Sequence, residues 1–175
     1  MIALSKKICL LGDFAVGKTS LVRRFIYNLF EDKYLSTIGV KVSRKVVAVP
    51  RQHEVVELTL MLWDLAGNEE FDSVRTSYLR GASGGLAVCD LTRPATLDGL
   101  RRYAQELHAV NPQACLFVAG NKADLTEQWL SAEAQVQAVA SDLQASYCLT
   151  SAKTGEHVED AFRQLGRMLV AETAP

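Results

Sequence analysis

The sequence feature that most limits how this chain folds is a glycine-framed run that ends in a lysine and a hydroxyl residue. Residues 12–19 read Gly-Asp-Phe-Ala-Val-Gly-Lys-Thr. They follow a short apolar segment at residues 8–11 and precede apolar residues at helical spacing. Between a strand and a helix, the pattern G-x-x-x-x-G-K-[ST] directs backbone N–H groups at an anion beside the positive end of the helix. The run therefore predicts a strand, a loop and a helix that bind the phosphates of a nucleotide.

Two side chains of this loop have specific predicted roles. The Lys18 ammonium is expected to reach the β- and γ-phosphates, and the Thr19 hydroxyl is expected to bind Mg²⁺. The alternative interpretation is an ordinary glycine-rich turn that carries a surface lysine. The strand before the loop and the amphipathic helix after it favour the phosphate site over the turn.

Short apolar segments alternate with helical patterns along the chain. Residues 86–89 and 116–119 are apolar without alternation, which is typical of strands that are covered on both faces. Residues 40–49 and 55–63 are extended segments joined by a turn-like stretch and predict a hairpin, and residues 147–150 predict a last strand. The order predicts an α/β fold with a six-stranded, mostly parallel sheet, one antiparallel edge strand and helices on both faces.

Apolar residues at three- and four-residue spacing predict the helices. They run from Leu21 to Leu29 after the loop, and through residues 97–107, 136–143 and 158–169. Ser131 and Thr154 are predicted to cap the amino ends of the last two. The arginine pairs at positions 23–24 and 101–102 are interpreted as solvated helix faces.

Composition excludes several classes of protein. The 19 basic and 20 acidic residues give a formal net charge of −1, so nothing in the bulk charge favours nucleic acid. The four cysteines are scattered, which argues against zinc, and no apolar run is long enough to span a membrane. The last residues contain no cysteine for prenylation. We expect a single domain over residues 1–175, a cytoplasmic location and no lipid anchor of its own.

A second motif, Trp63-Asp64-Leu65-Ala66-Gly67, ends the third apolar strand. A carboxylate at Asp64 can approach a metal at the phosphate loop, usually through a water, because the two strands are predicted neighbours. The N–H of Gly67 can contact a γ-phosphate, since glycine permits close approach. Alone, this motif is also compatible with a turn that ends a strand.

A third motif, Asn121-Lys122-Ala123-Asp124, follows the strand that ends near Gly120. The Asp124 carboxylate can accept hydrogen bonds from the ring N–H and the exocyclic amine of guanine, a donor pair that adenine lacks. Asn121 is expected to tie loops together, and the Lys122 stem to pack over the base. Residues 151–153, Ser-Ala-Lys, are predicted to close the far side of the base pocket. All these motifs follow strands, where open α/β sheets bind ligands.

With these motifs in this order, the sequence resembles the small GTPases of the Ras superfamily, most closely the Rab and Ras branches, over about residues 6–170. The resemblance implies a P-loop NTPase fold and a GDP/GTP-dependent switch read by effector, exchange-factor and activating proteins. Residues 34–39, Tyr-Leu-Ser-Thr-Ile-Gly, resemble the first switch, in which Thr37 contacts Mg²⁺ and the γ-phosphate. Residues 68–80 resemble the second switch, and Phe30 falls where the family stacks an aromatic ring against guanine.

The candidate site residues follow from the motifs and the resemblance. Four are assigned to catalysis: Lys18, Thr37, Gly67 and Asn68. Three are assigned to Mg²⁺: Thr19, Thr37 and Asp64. Those assigned to GTP or GDP are Gly12, Asp13, Phe14, Ala15, Val16, Gly17, Lys18, Thr19, Ser20, Phe30, Tyr34, Thr37, Gly67, Asn121, Lys122, Asp124, Ser151, Ala152 and Lys153.

Two positions depart from the family pattern. Asn68 stands where the family usually has a glutamine that orients the attacking water, and it is shorter by one methylene, roughly 1.5 Å. Glu69 and Glu70 are alternative water-positioning groups. Phe14 stands where the family mostly has a small residue, and its ring either crowds a water or an incoming arginine, or packs harmlessly on Tyr34 or the second switch. No arginine directly precedes Thr37. Slow intrinsic hydrolysis is therefore expected.

Three functions are compared. The first is a GTP-hydrolysing molecular switch that uses Mg²⁺. The second is a GTP-binding interaction module with negligible hydrolysis, which Asn68 and Phe14 keep open. The third is a metabolic phosphoryl-transfer kinase, which has no need of the motif at residues 121–124. The missing prenylation cysteine fits a soluble or partner-recruited member of the family, a prokaryotic one included.

Overall fold

A computed structural model of the protein describes residues 2–68, 70 and 72–172. In this part of the chain, six strands form one sheet. They are β1 Ile2–Leu11, β2 Val40–Arg51, β3 Glu54–Leu65, β4 Gly84–Asp90, β5 Cys115–Asn121 and β6 Ser146–Leu149. The helices are α1 Lys18–Tyr27, α2 Asp72–Leu79, α3 Ala95–Asp98, α4 Leu100–Val110, α5 Trp129–Asp142 and α6 Val158–Ala171, with a short 3-10 helix at Ala123–Leu125.

The sheet order is β2-β3-β1-β4-β5-β6, and only the edge pair β2–β3 is antiparallel. This confirms the predicted fold class, including the antiparallel edge strand. Because the five other strands are parallel, their carboxyl ends meet at one edge of the sheet. The order reverses at β1, so the loop after β1 lies at the switch point where α/β sheets bind ligands.

The sheet separates two apolar cores, and β1 contributes to both by alternation. Ile8 and Leu10 face a core that α1 and α6 cover. Cys9 and Leu11 face a second core that α2, α4 and α5 cover. All four β1 side chains are at most 1% exposed. A strand buried on both faces reads as a continuous apolar run, which is why this segment was recognisable from sequence.

Both predicted amino-terminal caps are wrong. Helix α5 begins at Trp129 with Gln128 at the N-cap, so Ser131 lies inside the helix. Helix α6 begins at Val158 with His157 at the N-cap in the left-handed region, so Thr154 lies ahead of it in a turn. Neither N-cap residue makes a side-chain capping bond, and periodicity alone did not locate these ends.

Two helical predictions were too long. Helix α1 ends at Tyr27, because Asn28 has a φ of 53° and its N–H bonds to the Arg24 carbonyl, so Leu29 is outside the helix. The stripe predicted over residues 97–107 is divided between α3 and α4, with Gly99 between them. In the described part of the chain, none of the helices combines the length and the apolar character that a membrane span needs.

Candidate functional site

A cleft of about 320 Å³ opens at the carboxyl edge of the sheet. Four parts of the chain line it: the loop of residues 12–19 with the start of α1, the segment 29–37, Leu65 and Gly67 at the end of β3, and the loops after β5 and β6. Helix α1 points its amino end into this region, and its N-cap, Gly17, makes no side-chain capping bond. The first N–H groups of the helix therefore remain as donors for an anion.

Lys18 lies at the bottom of the cleft and is only 7% exposed. Its ammonium donates to the carbonyl oxygens of Gly12 at 2.7 Å and Asp13 at 2.9 Å. Burial lowers the pKa of Lys18 to about 8, although nearby carboxylates oppose the shift. A buried ammonium with only neutral carbonyl acceptors is poorly compensated, so the arrangement favours an anionic ligand.

The loop is held by its carbonyl oxygens. Those of Phe14, Ala15 and Val16 accept hydrogen bonds from Arg93 at 2.7 Å, Lys122 at 2.8 Å and Asn121 at 3.0 Å. These donors come from the ends of β4 and β5, on one side of the loop. With the carbonyls engaged there, the N–H groups are the polar groups that the loop retains for a ligand.

Asp90 supports two of these donors and was missed from the sequence. Its carboxylate, 2% exposed, pairs with Lys122 at 2.7 Å and with Arg93 at 3.0 Å. Burial alone raises its pKa, but the bonds from Lys122, Thr92 and Arg93 outweigh burial and leave the pKa below its usual value. The available signal was its position, because Asp90 ends β4 in register with Asn121 of β5.

The three residues assigned to Mg²⁺ lie together. The Thr19 hydroxyl donates to Asp64 Oδ2 at 2.6 Å and lies 2.6 Å from the Thr37 hydroxyl. The other oxygen of Asp64, Oδ1, is buried and has no hydrogen-bond partner among the described residues. Burial raises the pKa of Asp64 despite the hydrogen bond from Thr19 and the Lys18 charge. Hydroxyl and carboxylate oxygens suit a hard cation such as Mg²⁺, and the partnerless buried carboxylate oxygen of Asp64 leaves a position for one.

Asn121 ties the loop after β6, which is predicted to close the base pocket, to the phosphate loop. It is 1% exposed, and its Oδ1 accepts from the Thr150 hydroxyl at 3.1 Å and the Ala152 N–H at 3.3 Å. Its Nδ2 holds the phosphate loop, as described above. A Cβ on Gly17 would collide with this amide, so the position admits only glycine.

Asp124 is oriented by a neighbour. The Ser151 hydroxyl donates to Asp124 Oδ1 at 2.7 Å, and Asp124 lines the cleft beside Lys122 and Lys153. A carboxylate has several acceptor positions, so one hydrogen bond from Ser151 leaves capacity for two donors on a base. Ser151 itself does not line the cleft; its part is to hold Asp124.

Arg24 is more than a solvated residue. Its Nε donates to the Ala152 carbonyl at 2.8 Å and its Nη2 donates to the Lys153 carbonyl. Helix α1 thereby holds the loop after β6, which closes the base-binding end. The neighbouring Arg23 instead pairs with Glu31 through two hydrogen bonds at the surface.

The Phe14 ring packs on Tyr34. The two rings meet edge to face, with centroids 5.5 Å apart and an angle of 74° between the planes. Both are about half exposed, at 47% and 57%. Of the two alternatives left open for Phe14, the geometry is that of packing on the first switch, and the pair forms the outer wall of the cleft.

Gly67 packs closely against the phosphate loop. A Cβ there would lie 2.8 Å from the Asp13 carbonyl carbon and 2.5 Å from Lys18 Nζ, so a larger residue does not fit. Asn68 is partly buried, does not line the cleft, and its Oδ1 has no hydrogen-bond partner among the described residues. Glu70 is exposed, and Glu69 lies outside the described residues.

Most residues assigned from sequence to the nucleotide line this one cleft. Five of the six exceptions make hydrogen bonds to lining residues, and Asn68 is the sixth. Assigned residues in the lining are Phe14, Ala15, Gly17, Lys18, Thr19, Ser20, Phe30, Tyr34, Thr37, Gly67, Asn121, Lys122, Asp124, Ala152 and Lys153, and those outside it are Gly12, Asp13, Val16, Asp64, Asn68 and Ser151. The lining also includes Leu29, Leu65 and Leu125, which sequence reasoning did not assign.

Fold and site together define a phosphate-binding loop protein built to hold a nucleotide and a divalent cation. Comparison with known proteins shows to which family of nucleotide-binding proteins the chain is similar. The model of the Ras family matches residues 7–171. The GTP-binding protein ypt5 of Schizosaccharomyces pombe is 34% identical over 174 residues, which cover 98% of this chain and 81% of that protein. Ras-related protein Rab5A of Oryza sativa is 35% identical over 165 residues, which cover 94% and 79%.

A third relative, Ras-related protein Rab-10 of Caenorhabditis elegans, is 32% identical over 168 residues, with 95% of this chain and 81% of that protein covered. The chain belongs to the Ras family of small GTPases. It is therefore a GTP-binding protein of the switch type with GTPase activity, and the Rab-like resemblance in its sequence is confirmed.

Proposed function

We propose that this protein is a Mg²⁺-dependent GTP/GDP switch whose intrinsic hydrolysis is slow. The observation that carries the proposal is the convergence of Lys18, the Thr19–Asp64–Thr37 oxygens and Asp124 on one cleft. Lys18 begins α1, whose amino end suits phosphates, and Asp124 lines the same cleft beside Lys122 and Lys153, with a carboxylate that suits guanine.

The proposed division of labour follows from these contacts. Lys18 and the loop N–H groups balance the phosphate charge, and Thr19, Thr37 and Asp64 would hold the cation. Bound Mg²⁺ would neutralise charge that develops on the phosphate oxygens during transfer to water. Gly67, held against Asp13, offers its N–H to the γ-phosphate without a side chain in the way.

Slow hydrolysis follows from the proposed water-positioning residue. Asn68 has a shorter side chain than the family glutamine and does not reach the lining of the cleft. Misplacement of a catalytic group by about 1 Å can lower a rate by roughly 10²-fold.

A GTP-binding module with negligible hydrolysis is the second candidate. The observation that favours it is the partnerless Asn68 Oδ1, which is buried away from the cleft lining in this conformation. In this alternative, nucleotide exchange alone sets the state of the switch. Effector, exchange-factor and activating proteins are proposed partners in both cases, through the exposed first switch, where Leu35 and Ile38 are 60% and 93% exposed.

Single-turnover hydrolysis of GTP by the purified protein with Mg²⁺ separates the two candidates. A switch releases phosphate in a first-order phase that is abolished by Lys18→Ala and accelerated by cell extract if an activating protein exists. No phosphate release above buffer, with tight GTP binding retained, would instead establish the interaction module.

Replacement of Asp124 tests the guanine assignment. In competition against a fluorescent GDP, GDP should displace the probe at least 10²-fold better than ADP, because only guanine offers two donors to the carboxylate. Asp124→Ala should remove most of this preference. The matched control is Asp98→Ala, an exposed aspartate of α3, which should leave the preference unchanged. Equal affinity of the wild type for GDP and ADP would refute the base assignment.

A further inference from the structure

Asp13 is the only acidic residue of the phosphate loop at residues 12–19. A carboxylate that faced the phosphates would repel them. The Asp13 side chain is instead 33% exposed, does not line the cleft and points to α4. The proposed function gives this side chain no part, so its position needs a separate account.

The hydrogen-bond donor that Asp13 meets is a buried tyrosine of α4. The Tyr103 hydroxyl donates to Asp13 Oδ1 at 2.8 Å, and Tyr103 is 1% exposed. Burial, with the hydrogen bond to Asp13, raises the pKa of Tyr103 to about 12, so the hydroxyl stays a donor at neutral pH. Arg75 and Arg102 lie over the ring, with 4.6 Å and 5.0 Å between each guanidinium carbon and the ring centroid. Tyr103 is therefore a fixed donor.

The amino end of α4 leaves space for the same carboxylate. A Cβ on Gly99, the N-cap of α4, would lie 3.1 Å from Asp13 Oδ2 and 3.4 Å from Oδ1. Gly99 provides no side-chain capping bond, and the amino end of a helix favours a negative charge. Arg102 Nη2 lies 3.9 Å from Asp13 Oδ1 and adds a positive charge. The start of α4 thus suits the Asp13 carboxylate in shape and in charge.

The backbone of Asp13 holds the lysine of the phosphate loop. The Lys18 ammonium donates to the Asp13 carbonyl at 2.9 Å and to the Gly12 carbonyl at 2.7 Å. The carbonyls of residues 14–16 are held by the donors from the ends of β4 and β5 described above. Asp13 therefore connects the first part of the loop, which carries the Lys18 contacts, to α4.

We infer that Asp13 is a positioning residue that, through Tyr103, fixes the first part of the phosphate loop on α4 and slows the release of a nucleoside diphosphate. Without this contact, the two carbonyls that hold Lys18 lose their fixed position, and so does the ammonium that faces the phosphates. A hydrogen bond to a charged acceptor is strong enough to change a rate about tenfold. The inference rests on the proposed function.

Dissociation of a fluorescent GDP, chased by excess unlabelled GDP with Mg²⁺, tests the inference. Asp13→Ala and Tyr103→Phe should each speed dissociation about tenfold. Asp13→Asn should stay within about threefold of the wild type, because its amide oxygen still accepts from Tyr103. The matched control is Tyr147→Phe, which removes a hydroxyl that donates to Glu133 at the surface and should leave the rate unchanged. Unchanged dissociation in both Asp13→Ala and Tyr103→Phe would overturn the inference.

The double variant Asp13→Ala with Tyr103→Phe separates a shared contact from two independent structural effects. Both substitutions remove the same hydrogen bond, so the double variant should release GDP at most about twofold faster than either single variant. Independent effects would multiply to roughly 10²-fold and would contradict the inference. Asp13→Asn as fast as Asp13→Ala would also contradict it, because the hydrogen bond from Tyr103 would then not matter.

The same proteins distinguish a failure of this inference from a failure of the proposed function. Binding of GDP by the wild type with unaltered release in the variants overturns the inference alone. A wild type that binds no GDP refutes the proposed function, and pyrophosphate, which has no base, then decides the inference. About tenfold weaker pyrophosphate binding in Asp13→Ala and Tyr103→Phe would support it, whereas equal or absent binding would overturn it.

Discussion

Single side chains decide where the polar groups of the phosphate loop point. Arg93, Lys122 and Asn121 each take one carbonyl oxygen of the loop, and Asp90 holds two of these three donors. Gly12, Ala15 and Gly17 all have positive φ, a conformation that costs free energy at Ala15 and persists where the surroundings hold it. The conformation of the loop is therefore stabilised from outside, by long side chains whose charges are paired beneath it.

The substitution Asn68→Gln lengthens the side chain by one methylene and tests whether Asn68 positions the attacking water. The longer amide should raise the single-turnover rate of GTP hydrolysis about tenfold or more, because it extends the reach toward the γ-phosphate by roughly 1.5 Å. GDP affinity should not change, since Asn68 is absent from the cleft lining. A rate that stays level or falls would contradict the prediction that Asn68 limits hydrolysis.

Asp90→Asn should make stability less dependent on acid pH. The pKa of Asp90 is lower in the folded protein than in the unfolded chain, so its charge stabilises the fold above the unfolded value, about 3.9. That contribution is lost as pH falls through the lower folded pKa. The substitution should cost about 2 kcal/mol at pH 7 and progressively less below pH about 4.

Urea unfolding of the wild type and Asp90→Asn at neutral and acid pH measures this difference. Asp98→Asn, at an exposed position on α3, is the control and should change the free energy of unfolding by less than about 0.5 kcal/mol at every pH. A destabilisation by Asp90→Asn that is the same at all pH values would show that the ion pairs with Lys122 and Arg93 are not its cause.

Helices α1 and α6 pack against each other next to the loop that follows β6. The rings of Phe25 and Phe162 stack with centroids 4.2 Å apart and 9° between their planes. Both side chains are buried in the first core, at 3% and 0% exposure. Since Arg24 of α1 holds the loop after β6, the position of this helix pair also determines the position of that loop.

Phe162→Ala should therefore destabilise the protein by about 3–5 kcal/mol, through lost burial and the cavity left beside Phe25. Denaturant unfolding monitored by circular dichroism measures the change. The control is Leu130→Ala on α5, where the side chain is 86% exposed and the expected change is below about 0.5 kcal/mol. A loss under 1 kcal/mol for Phe162→Ala would mean that the two helices repack without the stack.

For the molecule as a whole, nucleotide binding and folding are linked, because the cleft joins segments from both ends of the chain. The phosphate loop and α1 lie near the start of the chain, whereas Ala152 and Lys153 follow β6. A ligand that contacts all of them binds only the folded state. Binding then adds directly to the free energy of unfolding.

GDP with Mg²⁺ at 100 times its Kd should add about 2.7 kcal/mol and raise Tm by roughly 5–11 °C. Chelation of Mg²⁺ should reverse part of this shift if, as we propose, the cation links Thr19, Thr37 and Asp64 to the phosphates. Differential scanning calorimetry makes the comparison, with ADP as the control ligand. A shift with ADP as large as that with GDP would contradict guanine recognition.

The sheet and the motif residues were predictable from sequence because local patterns encode them. Strands buried on both faces read as apolar runs, and the residues that follow them converge at one sheet edge, which is why Lys18, Asp64 and Asn121 were found. The helix ends were harder. The caps of α5 and α6 carry no capping side chain, so Ser131 and Thr154 were chosen by residue type and were wrong.

By itself, then, the sequence determined the parallel sheet with its antiparallel edge, the phosphate loop and the residues that meet at one edge of the sheet, where we propose that a guanine nucleotide and Mg²⁺ bind. Only the tertiary structure decided how that site is supported. Tyr103 meets Asp13 across 90 residues of sequence, and Arg75 meets Glu106 across 31. Such distant pairs leave no periodic pattern in the sequence. A single arginine or tyrosine is therefore interpreted as a surface residue unless the tertiary structure shows that it is buried. Burial then turns these residues into fixed contacts of α4, with the phosphate loop through Tyr103 and with α2 through Glu106.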